Sequence, residues 1–248
     1  MLHLDIEYPA DKAIKLLCDG LKHPQCTIET LRLHGDILNE SGSRHLAEVL
    51  RKNQRLRTLY LFLTNPDDQP MEELFEGLKQ PECTIETLEI HGEISSESCS
   101  RHLAEIFRRN HRLIDLELSI KIPDDKTIEL LRGGLNDPEC TIKKLKILGE
   151  SLNESCSRHL AEVFRGNQSL RQLELTLKNS DEKTMGLLYE GLKHPECKIE
   201  TLQLNGEYII QNGKWNETFM LESPASTQVR VEESGKLRVL AEHKEAQN

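Results

Sequence analysis

Cys26-Thr27-Ile28-Glu29-Thr30-Leu31 returns as Cys83-Thr84-Ile85-Glu86-Thr87-Leu88, as Cys140-Thr141-Ile142-Lys143-Lys144-Leu145, and as Cys197-Lys198-Ile199-Glu200-Thr201-Leu202. Each step, 26 to 83 to 140 to 197, is 57 residues. Ser43-Arg44-His45-Leu46-Ala47-Glu48 keeps the same step at Ser100–Glu105 and Ser157–Glu162. Self-similarity at a fixed period of this size marks a repeat architecture. Each 57 divides in two. The pattern L-x-x-L-x-L begins at Ile28, Leu56, Ile85, Leu113, Ile142, Leu170 and Ile199, so the steps alternate between 28 and 29. Leu31 and Leu33 are two apart and share one face of a short strand. A helical period follows, with Leu46, Val49 and Leu50 on one face, as are Leu103, Ile106 and Phe107, and Leu160, Val163 and Phe164. In the alternate units the face is Met71, Leu74, Leu78; Ile128, Leu131, Leu135; and Met185, Leu188, Leu192.

Each unit is therefore one strand and one helix. A single unit cannot bury its apolar face, but stacking seven or eight builds a continuous core between a parallel strand layer and a helix layer. The fold class is α/β: a curved solenoid with an inner parallel β-sheet and outer α-helices. The spacing predicts strands near 30–34, 58–62, 87–91, 115–119, 144–148, 172–176 and 201–205. It predicts helices near 41–52, 69–79, 98–109, 126–135, 155–165 and 183–193. Asp67, Asp124 and Asp181 fall where a side-chain oxygen caps a helix start. His23-Pro24, Gln80-Pro81, Asp137-Pro138 and His194-Pro195 stop the helices again.

Composition narrows the function classes. Lys+Arg 32 against Asp+Glu 42 leaves a net charge of −10 over 248 residues. That argues against unaided binding to nucleic acid or an anionic membrane, whose footprint is a basic patch. Aromatic residues are 4% of the chain, too few for a stacking platform. No stretch approaches the roughly 18–20 apolar residues of a membrane span. The N-terminus, MLHLDIEYPADK, has no apolar core of a secretory signal. Seven cysteines without close pairs read as reduced thiols, and the expected location is the cytoplasm.

The alternation of 28 and 29 resembles the ribonuclease-inhibitor type of leucine-rich repeat. The wording is closer still to the C-terminal repeats of the NACHT-domain, pyrin-containing (NLRP) innate-immune receptors. The segments that carry the likeness are Gly191-Leu192-Lys193-His194-Pro195-Glu196-Cys197-Lys198-Ile199-Glu200-Thr201-Leu202 and Ser155-Cys156-Ser157-Arg158-His159-Leu160-Ala161-Glu162-Val163-Phe164. The resemblance covers residues 2 to about 210. It implies a horseshoe-shaped protein-interaction module that senses ligands or restrains an oligomerising domain. It also implies that ATP is handled only by a NACHT domain upstream, which nothing in this chain encodes.

The family carries Asn or Cys three residues after the second strand leucine, where the side chain ties adjacent loops together. Here the position holds Asp36, Thr64, Glu93, Lys121, Glu150, Lys178 and Glu207. In the even units Asn65 and Asn179 sit one residue late, and Ile122 breaks the series. The expectation is a loop more open than in the family, because an uncompensated buried charge is expensive. The run Glu93, Lys121, Glu150, Lys178, Glu207 alternates in sign, which suggests a charge ladder along one edge.

The ends also differ from the middle. Leu2-His3-Leu4 aligns with Leu59-Tyr60-Leu61, so the first unit is truncated at its strand. This implies either upstream residues missing from the chain or an unusual start. Residues 1–210 form the repeat array, and residues 211–248 a non-repeat tail. In the tail, Asn212-Gly213 and Trp215 precede an apolar alternation around Glu233-Ser234-Gly235 that reads as a hairpin, followed by a disordered end.

No P-loop, G-x-G-x-x-G, G-x-S-x-G, C-x-x-C or H-E-x-x-H is present. The expectation is no enzyme activity, no cofactor and no metal. His45, His102 and His159 recur at one repeat position. They read as duplicated residues on a solvated face rather than as a metal or pH ladder. Cys26, Cys83, Cys140 and Cys197 read as buried structural thiols, too far apart to pair. The sequons at Asn39, Asn153 and Asn216 mean little in a cytosolic chain.

What remains is surface recognition of a protein partner of unknown identity. Residues flanking the inward leucines face the concave side. The candidate binding residues there are Arg32, His34, Tyr60, Phe62, Glu89, His91, Asp115, Glu117, Lys144 and Lys146. Tyr60 and Phe62 read as an exposed aromatic pair, with Glu89, Asp115 and Glu117 as an acidic strip beside it. Two function classes follow: the repeat region of a receptor, or a free-standing ribonuclease-inhibitor-like binder of a basic protein.

Overall fold

The computed structural model describes residues 1–5, 11–35, 39–63, 68–92, 96–119, 125–179, 182–216, 229–231 and 237–239. Eight strands stand side by side in chain order, all parallel: β1 (Leu2–Asp5), β2 (Thr30–His34), β3 (Thr58–Phe62), β4 (Thr87–His91), β5 (Asp115–Ser119), β6 (Lys144–Ser151), β7 (Gln172–Asn179) and β8 (Thr201–Leu204). Between them run α1 (Asp11–Leu21), α2 (Glu40–Lys52), α3 (Asp68–Leu78), α4 (Glu97–Arg109), α5 (Asp125–Leu135), α6 (Glu154–Gly166) and α7 (Glu182–Leu192). The register repeats the unit step: Leu31 pairs with Leu59, Leu59 with Leu88, Leu88 with Leu116, Leu116 with Leu145. These leucines and the helix faces Leu46/Val49/Leu50 and Leu103/Ile106/Phe107 form one buried core between the two layers. This is the expected leucine-rich-repeat solenoid, and both the strands and the helices lie within two residues of their expected bounds, except that β6 and β7 run on further.

A second device locks alternate turns, and it repeats every 57 residues rather than every 28. Asn53, Asn110 and Asn167 follow α2, α4 and α6, and each is 3–4% exposed. The Nδ2 of Asn110 donates to the Leu78 carbonyl (2.9 Å), while its Oδ1 accepts from the backbone N–H of Arg112 (2.9 Å) and Leu113 (3.0 Å). Asn53 does the same to Leu21, Arg55 and Leu56. Asn167 does so to Leu135, Ser169 and Leu170. One amide thus fills both the orphan carbonyl at the end of the preceding unit's helix and the N–H groups entering the next strand. The hydroxyls of Thr84 and Thr141 extend this by donating to the carbonyls of Leu56 (2.6 Å) and Leu113 (2.8 Å).

The helices pack closely where glycine meets alanine. A Cβ at Gly77, Gly134 or Gly191 would lie 2.8, 2.7 or 2.6 Å from the Cα of Ala47, Ala104 or Ala161. The missing side chain lets α3, α5 and α7 seat against α2, α4 and α6. Helix starts are capped by Asn39, Ser96 and Asn153, whose side chains accept from the N–H of Gly42, Cys99 and Cys156. The expected caps Asp67, Asp124 and Asp181 lie outside the described residues.

The helix histidines do not sit on a solvated face. His102 lies at the seam between α3 and α4, its Nδ1 3.0 Å from Lys79 Nζ and 3.4 Å from a Glu76 oxygen. The Lys79 side chain is only 4% exposed, and it is satisfied by Glu76 and by Glu105 at 2.8 Å. Its hydrogen bond holds the Glu105 carboxyl below the usual range. Lys22 bridges Asp19 and Glu48 in the preceding copy. Asn136 replaces the lysine in the third copy, where Arg132 reaches Glu162 instead (2.6 Å). The duplicated position is half-buried in all three copies, with or without a lysine beside it.

Two of the four repeat cysteines are buried as expected, Cys83 and Cys140, whereas Cys26 and Cys197 are half-buried. Burial pushes the Cys83 thiol up to about 11, which keeps it protonated and unreactive near neutral pH.

The Asn-Gly pairs close the C-terminal end. Asn205-Gly206 and Asn212-Gly213 all adopt positive φ, at 50° and 89°, then 52° and 75°. These are the two-residue hairpin turns that Asn-Gly favours. They fold β9 (Glu207–Gln211) antiparallel onto β8, and β10 (Lys214–Trp215) onto β9. The sheet thus runs on to Trp215, and Ile209 and Ile210 are buried at 1% and 3%. Trp215 meets Tyr189 of α7 edge-on, with ring centroids 6.5 Å apart. In the tail, β11 (Val229–Val231) and β12 (Leu237–Val239) pair antiparallel.

The open-loop expectation fails between β6 and β7. There the strands continue through the loop position, with Gly149 opposite Leu177 and Ser151 opposite Asn179. Backbone pairing takes the place of the family's side-chain ties. The equivalent positions Asp36, Thr64, Glu93 and Lys121 lie outside the described residues, as do Asn65, Ile122 and the side chains of Glu150 and Lys178. The sign-alternating ladder therefore falls outside them too.

Candidate protein-recognition face

The register sets the concave face row by row. Side chains that alternate with the inward leucines point away from the core. Paired Cα positions place Arg32, Tyr60, Glu89, Glu117, Lys146, Glu174 and Gln203 in one row across β2–β8. Thr58, Thr87, Asp115 and Lys144 form the row below it, while His34, Phe62 and His91 form the row above. All ten candidate residues thus stand on one sheet face, but they fall into two groups of different character.

The first group is aromatic and cationic. The Arg32 guanidinium carbon sits 4.5 Å from the Tyr60 ring centroid and 5.5 Å from that of Phe62. Phe62 is stacked with His91 at 4.5 Å and 10° between planes, and tilted against His34 at 5.7 Å. Tyr60 and Phe62 are half-buried rather than exposed, because Arg32 and His91 cover them. Cation–π contact and ring stacking hold the cluster rigid without core packing.

The second group is a charge network already paired within the chain. Lys146 Nζ lies 3.2 Å from Glu117 and 3.3 Å from Glu174, while Lys144 lies 3.2 Å from Asp115. Glu117 is only 13% exposed on its side chain, so its charge is held close to Lys146. The acidic strip expected from sequence is thus largely neutralised by the next strand. Glu89 is the exception: it meets His91 Nε2 at 3.5 Å, and among the described residues no Lys or Arg lies within 4.0 Å of it. Glu174 was missed as a member of the network. It was findable, because Glu117, Lys146 and Glu174 are separated by the unit steps of 29 and 28.

Among the described residues no group of three His, Cys, Asp or Glu side chains is gathered for a metal. Among them, no helix is long and apolar enough to cross a membrane.

No family model matches the chain. Curated relatives do. Over 194 residues, 78% of this chain and 18% of the relative, it is 32% identical to NACHT, LRR and PYD domains-containing protein 12 of Homo sapiens. It is 31% identical over 201 residues to protein 14 of that series in Mus musculus, covering 81% of the chain and 20% of the relative. It is 28% identical over 211 residues to protein 3 of Mus musculus, covering 85% and 20%. The chain spans about a fifth of the length of these relatives. With the 28/29 alternation, the strand-helix stack and these similarities together, the repeats of this chain are leucine-rich repeats of the NACHT, LRR and PYD domains-containing (NLRP) type.

Proposed function

We propose that the chain is the protein-interaction region of a cytosolic NLRP-like innate-immune receptor, where it senses ligands and restrains an ATP-binding oligomerising domain encoded upstream. The observation that carries the reading is the Arg32–Tyr60–Phe62–His91 cluster on the concave face of NLRP-type repeats. Large rigid aromatic and arginine side chains are the usual anchors of protein interfaces. The chain itself does no chemistry in this reading, and nucleotide is bound only by the upstream domain.

A free-standing binder of a basic protein is the weaker reading. The acids it would use, Asp115, Glu117 and Glu174, already face Lys144 and Lys146. A basic partner would have to displace those pairs.

The test is twofold. The transcript upstream of Met1 is expected to encode a Walker motif; an open reading frame without one contradicts the receptor reading. The full-length polypeptide, sedimented with and without residues 1–248, is expected to shift toward oligomers when the repeats are deleted. An unchanged distribution contradicts the restraining role.

A further inference from the structure

The concave face carries three Lys or Arg side chains among the described residues of its strand rows, Arg32, Lys144 and Lys146. Two are consumed by acids on neighbouring strands. Arg32 is not. Among the described residues no carboxylate lies within 4.0 Å of it, and its buried Nε has no hydrogen-bond partner. The guanidinium carbon sits over the Tyr60 ring and near that of Phe62, 4.5 and 5.5 Å from their centroids. A guanidinium held over a ring can still donate from its terminal N–H pair, which matches a carboxylate bidentately. Holding the fork in place beforehand lowers the ordering cost of binding. Two strands along the same row, Glu89 is the acid left without a Lys or Arg.

We propose that the β2–β4 end of the concave face docks a helix of a protein partner that presents a carboxylate to Arg32 and a cation to Glu89. This rests on the reading of the concave face as an interaction surface and adds the partner's chemistry. The spacing follows from the sheet. Adjacent strands lie about 4.8 Å apart, so Arg32 and Glu89 are roughly 10 Å apart along the row. Residues i and i+7 of a helix share a face and are separated by about 10.5 Å. The order of charges matters: an acid facing Glu89 and a cation facing Arg32 would both be repelled. Tyr60 lies between the two, and the part of its half-buried ring that Arg32 leaves uncovered meets the intervening turn of the helix.

The probe is an alanine-based helical peptide with Glu at i and Lys at i+7, alongside two controls with Glu at both positions and with Lys at both. Each is titrated into the full chain, with the Arg32 Nε–H signal followed by nitrogen-15 NMR. The mixed peptide is expected to shift that signal and to bind at least roughly fivefold tighter than either control. Arg32→Lys, which keeps the charge but loses the fork, is expected to weaken binding with the circular dichroism unchanged. Arg32→Glu, which leaves two acids on the row, is expected to turn the preference to the Lys/Lys peptide. Equal binding of the three peptides, or a preference for the mixed peptide that survives Arg32→Glu unchanged, overturns the proposal. Neither result touches the broader reading, which stands or falls on whether any protein contacts this face.

Discussion

Asn110→Ala is expected to be among the most damaging single substitutions in the chain, although it removes no charge and little apolar surface. It deletes one donor and one acceptor that together serve three backbone groups: the Leu78 carbonyl and the N–H of Arg112 and Leu113. The bonds to Leu78 and Leu113 are buried, so water cannot replace them. An unsatisfied buried backbone group costs about 1–3 kcal/mol, which sums here to roughly 3–5 kcal/mol. Urea denaturation followed by circular dichroism measures it. Asn53→Ala and Asn167→Ala are expected to behave alike, because the bonding is the same at each 57-residue step. An unfolding midpoint equal to the parent's would show that the asparagine ladder is not what holds the turns.

The second large effect has opposite signs at equivalent-looking glycines. At Gly134 a Cβ would meet the Cα and carbonyl oxygen of Ala104, each at 2.7 Å, and Phe107 at 3.0 Å. Backbone cannot swing aside as a side-chain end can, so α4 and α5 must part. Overpacking of this kind costs about 1–3 kcal/mol, more than the ~1 kcal/mol that alanine gains over glycine in a helix. Gly134→Ala is thus expected to destabilise, and Gly134→Val to do so further. Gly20 and Gly186 have nothing within 4 Å of their added Cβ. Alanine there is expected to be neutral or to stabilise by up to ~1 kcal/mol. Thermal unfolding of the four variants decides it; the same sign at Gly134 and Gly20 would refute the close helix approach.

The strands and helices were legible because the leucines repeat without interruption. The step from Leu59 to Leu88 to Leu116 is also the hydrogen-bonding register of the sheet, so the period alone orders the strands. The same step could have paired Glu117 with Lys146 and Lys146 with Glu174, which turns an apparent acidic strip into a neutral network. Asn53, Asn110 and Asn167 were visible at 57-residue spacing, but their role depends on how a helix ends. They stand at the end of the helix, at a different corner of the unit from the loop asparagine of the family. The Asn-Gly pairs were the strongest turn signal in the C-terminal region, since only residues tolerant of positive φ make that turn. The histidine position was misread because what it packs against lies on the neighbouring helix, as Lys79 beside His102 does, 23 residues away in sequence. Arg32 over Tyr60 was not legible, because nothing in a sequence says which of several neighbouring cations an aromatic ring will hold.

The most direct measurement is photo-cross-linking in cells, with benzoylphenylalanine placed at Tyr60 and, as a control on the opposite layer, at Arg44. Arg44 lies on the exposed side of α2, with 55% of its side chain accessible. Discrete protein adducts are expected from position 60 and only background from position 44. Adducts from position 44 with none from position 60 would place recognition on the helices and contradict a concave recognition face.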